Sequence, residues 1–308
     1  MTTPDCIRRS ILASTVALAI AACSPATESA ATPAGTQPAD AGDPTATSTQ
    51  PATTATTATT ATVDDAAVSA FLASVYGPSA SLSGEWNNVP ADASFSVEGE
   101  SDGQVTRSVC EQEEATISGQ PAVMLAVCGT VQGAGHPAAG TNDFFLLQPG
   151  DGALAATASA HMDEFGSRGE PGDVDSKRFG ADLYGFVVES GFYNMGQGVQ
   201  TAHLVLPKGD GFVDAGWFRE GLDNEDWMKG CLERGECSAD EAYDIDFELD
   251  IDDSDPGAAA YPLRVTESGT ACGKPADATH DLALDVATMT YAVPAALQRD
   301  GCADVAAE

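Results

Sequence analysis

The chain is short of positive charge. Lys and Arg together number 13 against 47 Asp and Glu, a formal net charge of −34 over 308 residues, so a polyphosphate backbone would be repelled rather than bound. Nucleic acid is thereby excluded as a partner. Also missing are a Ser-x-x-Lys pair, a phosphate-cradling glycine loop and a dinucleotide fingerprint, local signatures of common hydrolases and nucleotide enzymes. A triad whose members meet only in space leaves no such mark. No Cys-x-x-Cys occurs, and His136, His161, His203 and His280 are scattered outside any metal-binding helical spacing, which argues against structural zinc.

What is there begins with an address. Arg8 and Arg9 precede an uncharged stretch over residues 11–22, too short to cross a bilayer as a helix and the right length for an export-signal core. It ends Ile20-Ala21-Ala22-Cys23, which resembles the lipobox of bacterial lipoproteins. The resemblance covers only the first 24 residues. It implies cleavage before Cys23, a diacylglycerol thioether on its sulfur and further acylation of its amino group, several chains making an anchor where one would bind marginally. Ser24, in place of an Asp, implies transfer to the outer membrane. Arg8-Arg9-Ser10-Ile11-Leu12 also resembles a degenerate twin-arginine signal, although Ile7 stands where Ser or Thr is expected.

Residues 24–62 contain 13 Thr, 11 Ala and five Pro, with no Val, Ile, Leu, Met or aromatic residue. Such a tract cannot bury a core and reads as a disordered tether, with a reach of roughly 35 Å as a coil. Residues 63–308 carry the remaining charge, 11 basic against 43 acidic side chains. That acidic body opens with a helix: Asp64 or Asp65 caps it, Val68, Phe71, Leu72 and Val75 follow helical spacing, and Gly77-Pro78 ends it.

Afterwards the period becomes two, or short apolar runs. Strands are expected near 95–97, 105–109, 122–131, 144–147, 154–162, 183–188, 199–206, 212–218, 243–252, 263–266 and 282–293. Pro207-Lys208-Gly209-Asp210-Gly211 reads as a hairpin turn, and 294–299 as one closing helical turn. With no alternation of strands and long helices, the fold class is mainly β, an antiparallel sandwich or barrel-like body behind one N-terminal helix. The charged segment 166–178 reads as a loop, and a boundary near 220–240 is conceivable, though one domain is the simpler count.

Six cysteines remain once Cys6 leaves with the signal and Cys23 takes lipid. Proximity along the chain pairs Cys110 with Cys128, Cys231 with Cys237 and Cys272 with Cys302, in keeping with an oxidising compartment. Asp244, Asp246, Glu248, Asp250 and Asp252 alternate with Ile245, Phe247, Leu249 and Ile251. On a strand this is a solvated outer face. A calcium site built from Asp250, Asp252, Asp253 and Asp255 is the sharper reading, with Glu170, Asp173 and Asp175, and the cluster at 223–226, as secondary candidates.

Two function classes stay open. One is a non-catalytic lipoprotein, anchored to the membrane, whose body binds an envelope protein or shields the surface, with Trp86, Trp217 and Trp227 as partner-contact candidates. The other is a periplasm-facing hydrolase or calcium-binding module using clustered carboxylates. A concave pocket with two converging carboxylates, or His161 within hydrogen-bond reach of one, points toward catalysis.

Overall fold

The structure, a computed structural model, describes residues 63–302, all within one compact unit. The export signal, Cys23 and the tether lie outside the described residues. The first helix, α1 (Asp65–Tyr76), forms where helical spacing places it. The Asp64 carboxylate accepts the Ala67 N–H at 2.8 Å, and Gly77 ends the helix at a φ of 91°. Its apolar stripe, Val68, Leu72 and Val75, is buried together with Tyr76.

The first sheet is a four-stranded antiparallel meander: β1 (Val105–Ile117), β2 (Gln120–Val131), β3 (Thr141–Pro149) and β4 (Leu154–Met162). Ser118 and Gly119 both take positive φ, 51° and 74°, the left-handed pair that a two-residue hairpin needs. Residues 93–95, expected near a strand, instead make a short 3-10 turn. Phe95 there serves as a plug against Phe145, ring centres 4.9 Å apart.

Next come two short strands, β5 (Gly166–Ser167) and β6 (Glu170–Pro171), paired with each other. The second sheet runs β7 (Asp173–Arg178), β8 (Tyr184–Asn194), β9 (Gln197–Lys208), β10 (Gly211–Asp223), β11 (Tyr243–Ile251) and β12 (Leu263–Ala271) in order. The edge of β12 is completed by β13 (Lys274–Pro275) and β14 (Thr279–Leu282). The segment expected as a charged loop is therefore largely strand. β7 sits on the sheet edge, where Asp173, Asp175, Lys177 and Arg178 discourage further strand addition. Between β10 and β11 lies a second helix, α2 (Glu225–Arg234), closed by Gly235 in the left-handed region. The long run at 282–293 is broken into a two-rung ladder of β15 (Leu284–Asp285) and β16 (Thr290–Tyr291). The closing turn appears at 295–298.

These elements stack in layers. α1 and the segment after it cover one face of the first sheet through Val68, Leu72, Trp86 and Phe95 against Val123, Leu125, Phe145 and Leu147. The opposite face presents Met124, Ala126 and Phe144 to Phe165, just ahead of β5, and to Phe186, Val205 and Phe212 of the second sheet. Being covered twice, β2 and β3 are buried almost continuously, so their sequence shows apolar runs rather than alternation. The far face of the second sheet packs on the C-terminal segment through Phe218, Ile245, Phe247, Leu282, Tyr291 and Leu297. In β11 the four carboxylates at 244, 246, 248 and 250 do face water, as does Asp252 just past its end, with Ile245 and Phe247 beneath.

All three expected disulfides form, Cys110–Cys128, Cys231–Cys237 and Cys272–Cys302, with Cα separations of 5.6, 5.7 and 5.6 Å. The first crosses the β1–β2 ladder, the second closes the end of α2, and the third fixes the C-terminal segment to β12.

Candidate functional site

The far face of the second sheet is not wholly covered. Toward the β7 edge it opens as a groove of about 520 Å³ whose floor is Val187, Ala202, Phe218 and Phe247. Over that floor stand two carboxylates. Glu189 lies two residues beyond Val187 on β8 and is the Cα partner of Ala202 on β9. Ala202 in turn pairs with Phe218 on β10, and the register then slips between Arg219 and Gly221. Glu220 is the unpaired residue of that bulge, a device that re-aims a side chain. The small Ala202 leaves room for Glu189 and Glu220 to meet and share a hydrogen bond. Burial, then the charge of Glu189, then the hydrogen bond to it, push the Glu220 carboxyl up to about 7. One proton is thus held between two acids in a half-open site near neutral pH. At the rim, Lys177 Nζ is satisfied by Asp175 at 2.6 Å.

A second polar cluster lies under α1. Asp143 on β3 is fully buried and faces His161, its cross-strand partner on β4. The His161 Nδ1 lies 2.5 Å from Asp143 Oδ1, and the Tyr76 hydroxyl donates to Asp143 Oδ2 at 2.6 Å. Burial lowers the His161 pKa, but the hydrogen bond and charge of Asp143 outweigh it and hold the imidazole above its ordinary value. Burial, then Asp143, raises Tyr76 well above a normal phenol. Beside them the buried Arg107 forks onto Glu100 at 2.6 and 2.7 Å.

Two further histidines also lean on carboxylates. His203 Nδ1 lies 2.8 Å from Asp214, and His280 Nε2 lies 2.8 Å from Glu267. Glu267 is gripped as well by Arg299, at 2.9 and 2.7 Å, with the guanidinium over the Phe247 ring. This buried fork holds the C-terminal segment against the sheet. Burial pulls the Glu267 carboxyl up, but the Arg299 and His280 contacts prevail and keep it below its ordinary value.

Among the residues singled out from sequence, the cysteines are consumed as bridges. The calcium reading does not gather its ligands: among the described residues no three His, Cys, Asp or Glu side chains converge as metal ligands. Asp252 accepts the Ser254 N–H and Asp255 the Gly257 N–H, each closing a local turn. Asp250 faces Arg264 across the β11–β12 ladder, and Asp253 is exposed. Asp173 and Asp175 lie on the β7 edge, whereas Asn224, Glu225 and Asp226 begin α2.

Trp86 is no contact residue. It is 3% exposed and belongs to the core beneath α1. Trp217 and Trp227 are half-buried, the former under Arg219 at 5.0 Å. The large exposed apolar side chains are instead Phe192, Tyr193, Met195, Leu232 and Val286. Glu189 and Glu220 escaped notice, although each is a charge in phase with buried apolar neighbours, Val187 in one case, Phe218 and Leu222 in the other.

No family model matches this chain, and neither does any curated protein or solved structure.

Proposed function

We propose that this is a lipid-anchored envelope lipoprotein, attached through Cys23 and held off the outer membrane by residues 23–62, whose β body is a binding module. The observation that supports the binding role is the groove, an apolar floor beneath two acids that share one proton. Its complement is a cationic group on an apolar stem, such as a lysine side chain of a basic envelope protein. An ammonium entering between Glu189 and Glu220 would replace the shared proton and bury its methylenes on Phe218 and Phe247. The acidic body would speed the encounter at low salt.

The features that point toward catalysis are both present, a cleft with paired carboxylates and a His161–Asp143 contact, and a hydrolase is accordingly the second reading. The proton positions favour binding. Two acids in direct hydrogen contact are closer than the about 5–9.5 Å that glycosidase pairs need to flank a sugar bond. His161 is biased toward its charged form, and a protonated imidazole is no general base.

The test uses full-length lipidated protein as bait in detergent-solubilised envelope, with a Glu189→Gln, Glu220→Gln double variant alongside. A basic partner held by the wild type, lost by the variant and captured more slowly as salt rises supports the reading. Capture that is indifferent to salt and to both substitutions overturns it. Glycoside turnover abolished by Glu220→Gln would establish the hydrolase instead, and mass spectrometry of the Cys23 peptide checks the anchor.

A further inference from the structure

A second concavity lies further along the same strands. β8 and β9 continue past the last residue pair of β7, and this stretch encloses about 480 Å³ together with β10, β11 and the β5–β6 turn. Strand register assembles the floor. Gly191, Gln200, Gly221 and Asp246 form one row, and Tyr193, Gly198, Asp223 and Asp244 the row two residues on, so both rows share a face of the sheet. Phe192 and Tyr193, which also line the concavity, stay 40% and 50% exposed.

The charges are sorted by wall. On the β10–β11 side Asp223 and Asp244 are direct cross-strand partners, a pairing of like charges that a sheet disfavours, and Asp246 stands two residues along. Among the described residues none of these three carboxylates makes a hydrogen bond or an ion pair. On the opposite side the β5–β6 turn presents Arg168, held at a φ of 58°, a left-handed position that Asn or Gly fills more easily. One Arg168 amine donates to His136 Nε2 at 3.1 Å, and that imidazole makes an edge-to-face contact with Phe192. The rest of the guanidinium fork is left for an acceptor. Glu170 beside it is taken by the Thr130 hydroxyl at 2.9 Å.

The floor is kept clear. A Cβ on Gly191 would meet nothing closer than Gln200 Cγ at 3.9 Å, an ordinary contact, and the residue does not take a positive φ. Nothing inside the protein demands glycine at this strand position, where it weakens the ladder; its bare backbone gives room for a ligand to approach.

Sorted charge selects that ligand. A simple cation would meet Arg168 and an anion three carboxylates, whereas a molecule with a cationic end, an anionic end and an apolar middle matches both walls and the aromatic edge. β8 and β11 stand three strand spacings apart, roughly 14 Å, too far for a free amino acid with both charges on one carbon. A chain of two or three residues at about 3.3–3.6 Å each covers the gap once the reach of Arg168 is added. We propose that this concavity binds a short zwitterionic peptide. Its C-terminal carboxylate lies on Arg168, its N-terminal ammonium between Asp223 and Asp244, and an apolar side chain on Phe192 and Tyr193.

The test is calorimetric titration of the full-length protein with the tripeptide Ala-Phe-Ala and with its N-acetylated, C-amidated and doubly capped forms. The free tripeptide is expected to bind saturably at millimolar concentration, and each single cap to weaken it about tenfold, the order of one charge-assisted hydrogen bond. Arg168→Gln should erase the difference between the free peptide and its C-amide. Asp223→Asn combined with Asp244→Asn should erase the difference from the N-acetyl form. These side chains are exposed or half-buried, and urea unfolding should show both variants folded. Gly191→Val, which fills the floor, should weaken the free tripeptide at least tenfold.

Equal binding of the free and doubly capped peptides overturns the proposal, as does an absence of binding by the free tripeptide. Tighter binding of the C-amide overturns it too, since the site would then be a plain cation trap. The groove between Glu189 and Glu220 is not involved. Its double Gln variant should bind the tripeptide unchanged, and Arg168→Gln should capture the basic partner unchanged, so failure of one site is told apart from failure of the other.

Discussion

Glu220→Gln tests whether the groove stores electrostatic tension. Gln keeps the size of Glu and donates a hydrogen bond to Glu189 without contributing charge. In the native protein the Glu220 carboxyl rises from its ordinary 4.5 to about 7. The folded state therefore binds a proton that the unfolded chain has released, and stability falls as pH climbs from about 4.5 to about 7. A rise of that size corresponds to a ceiling of about 3 kcal/mol. The groove is half open to water, and solvent screening reduces this to about 1–2 kcal/mol.

The variant should match the wild type below pH 4.5 and exceed it above pH 7, where melting should rise by roughly 2–6 °C for a domain of this size. Urea or thermal unfolding of both proteins between pH 4 and 8 reads this directly. A stability difference that is the same at both ends of the range would refute the shared-proton description, and with it the electrostatic part of the groove's proposed role.

Three other perturbations have defined outcomes. Asp143→Asn should cost about 2–4 kcal/mol in urea unfolding, since a buried acceptor of two hydrogen bonds is replaced by an amide. Proton resonances of His161 should then titrate below the ordinary histidine value, because burial, the largest influence on it, and the Arg107 charge then outweigh the remaining pull of Asp163. In the wild type, the stability that His161 draws from Asp143 is full below the ordinary histidine value and is lost as pH rises through its raised folded value. Arg299→Ala should destabilise by about 3–5 kcal/mol, through an uncompensated Glu267. The wild-type contribution of Glu267, whose carboxyl is held low, is present above its ordinary value and disappears as pH falls. Replacing Cys272 and Cys302 by Ser should cost about 3–4 kcal/mol in the chain-entropy account. Limited proteolysis should then cut first in the segment after β12.

Local physics was legible from the amino-acid order. α1 follows from a cap, a stripe and a Gly-Pro stop, all within 15 residues. The alternation in β11 survives because only one side of that strand is buried, and the cysteine pairs are near neighbours in sequence. What escaped was long-range. Asn224, Glu225 and Asp226 read as possible ligands. In the fold, Glu225 and Asp226 occupy the first turn of α2, while the Asn224 amide bridges Glu241 and Tyr243, a contact set by the return of β11.

Both polar sites depend on strand register. The approach of Glu220 to Glu189 depends on a one-residue slip in the β9–β10 ladder, and Asp143 meets His161 only through β3–β4 pairing. Register is fixed by whole faces finding their cores, which no local window contains. Trp86 was misjudged for the same reason, since it is buried by α1 and the plug at Phe95 rather than by its own neighbours.

The position of α1 at the start of the described body has a mechanical consequence. Tension arriving along the chain from the N-terminal side reaches this helix before any sheet. α1 is held by side-chain packing, the Tyr76 latch on Asp143 and single bonds from the segment after it, the Asp92 N–H to the Val75 carbonyl and the Asn88 amide to the Tyr76 carbonyl, without a ladder of strand pairing, so it would peel away while both sheets stay intact. Its departure would uncover the part of the Val123, Leu125, Phe145 and Leu147 face that Trp86 and Phe95 do not cover, turning a pull into an adhesive patch.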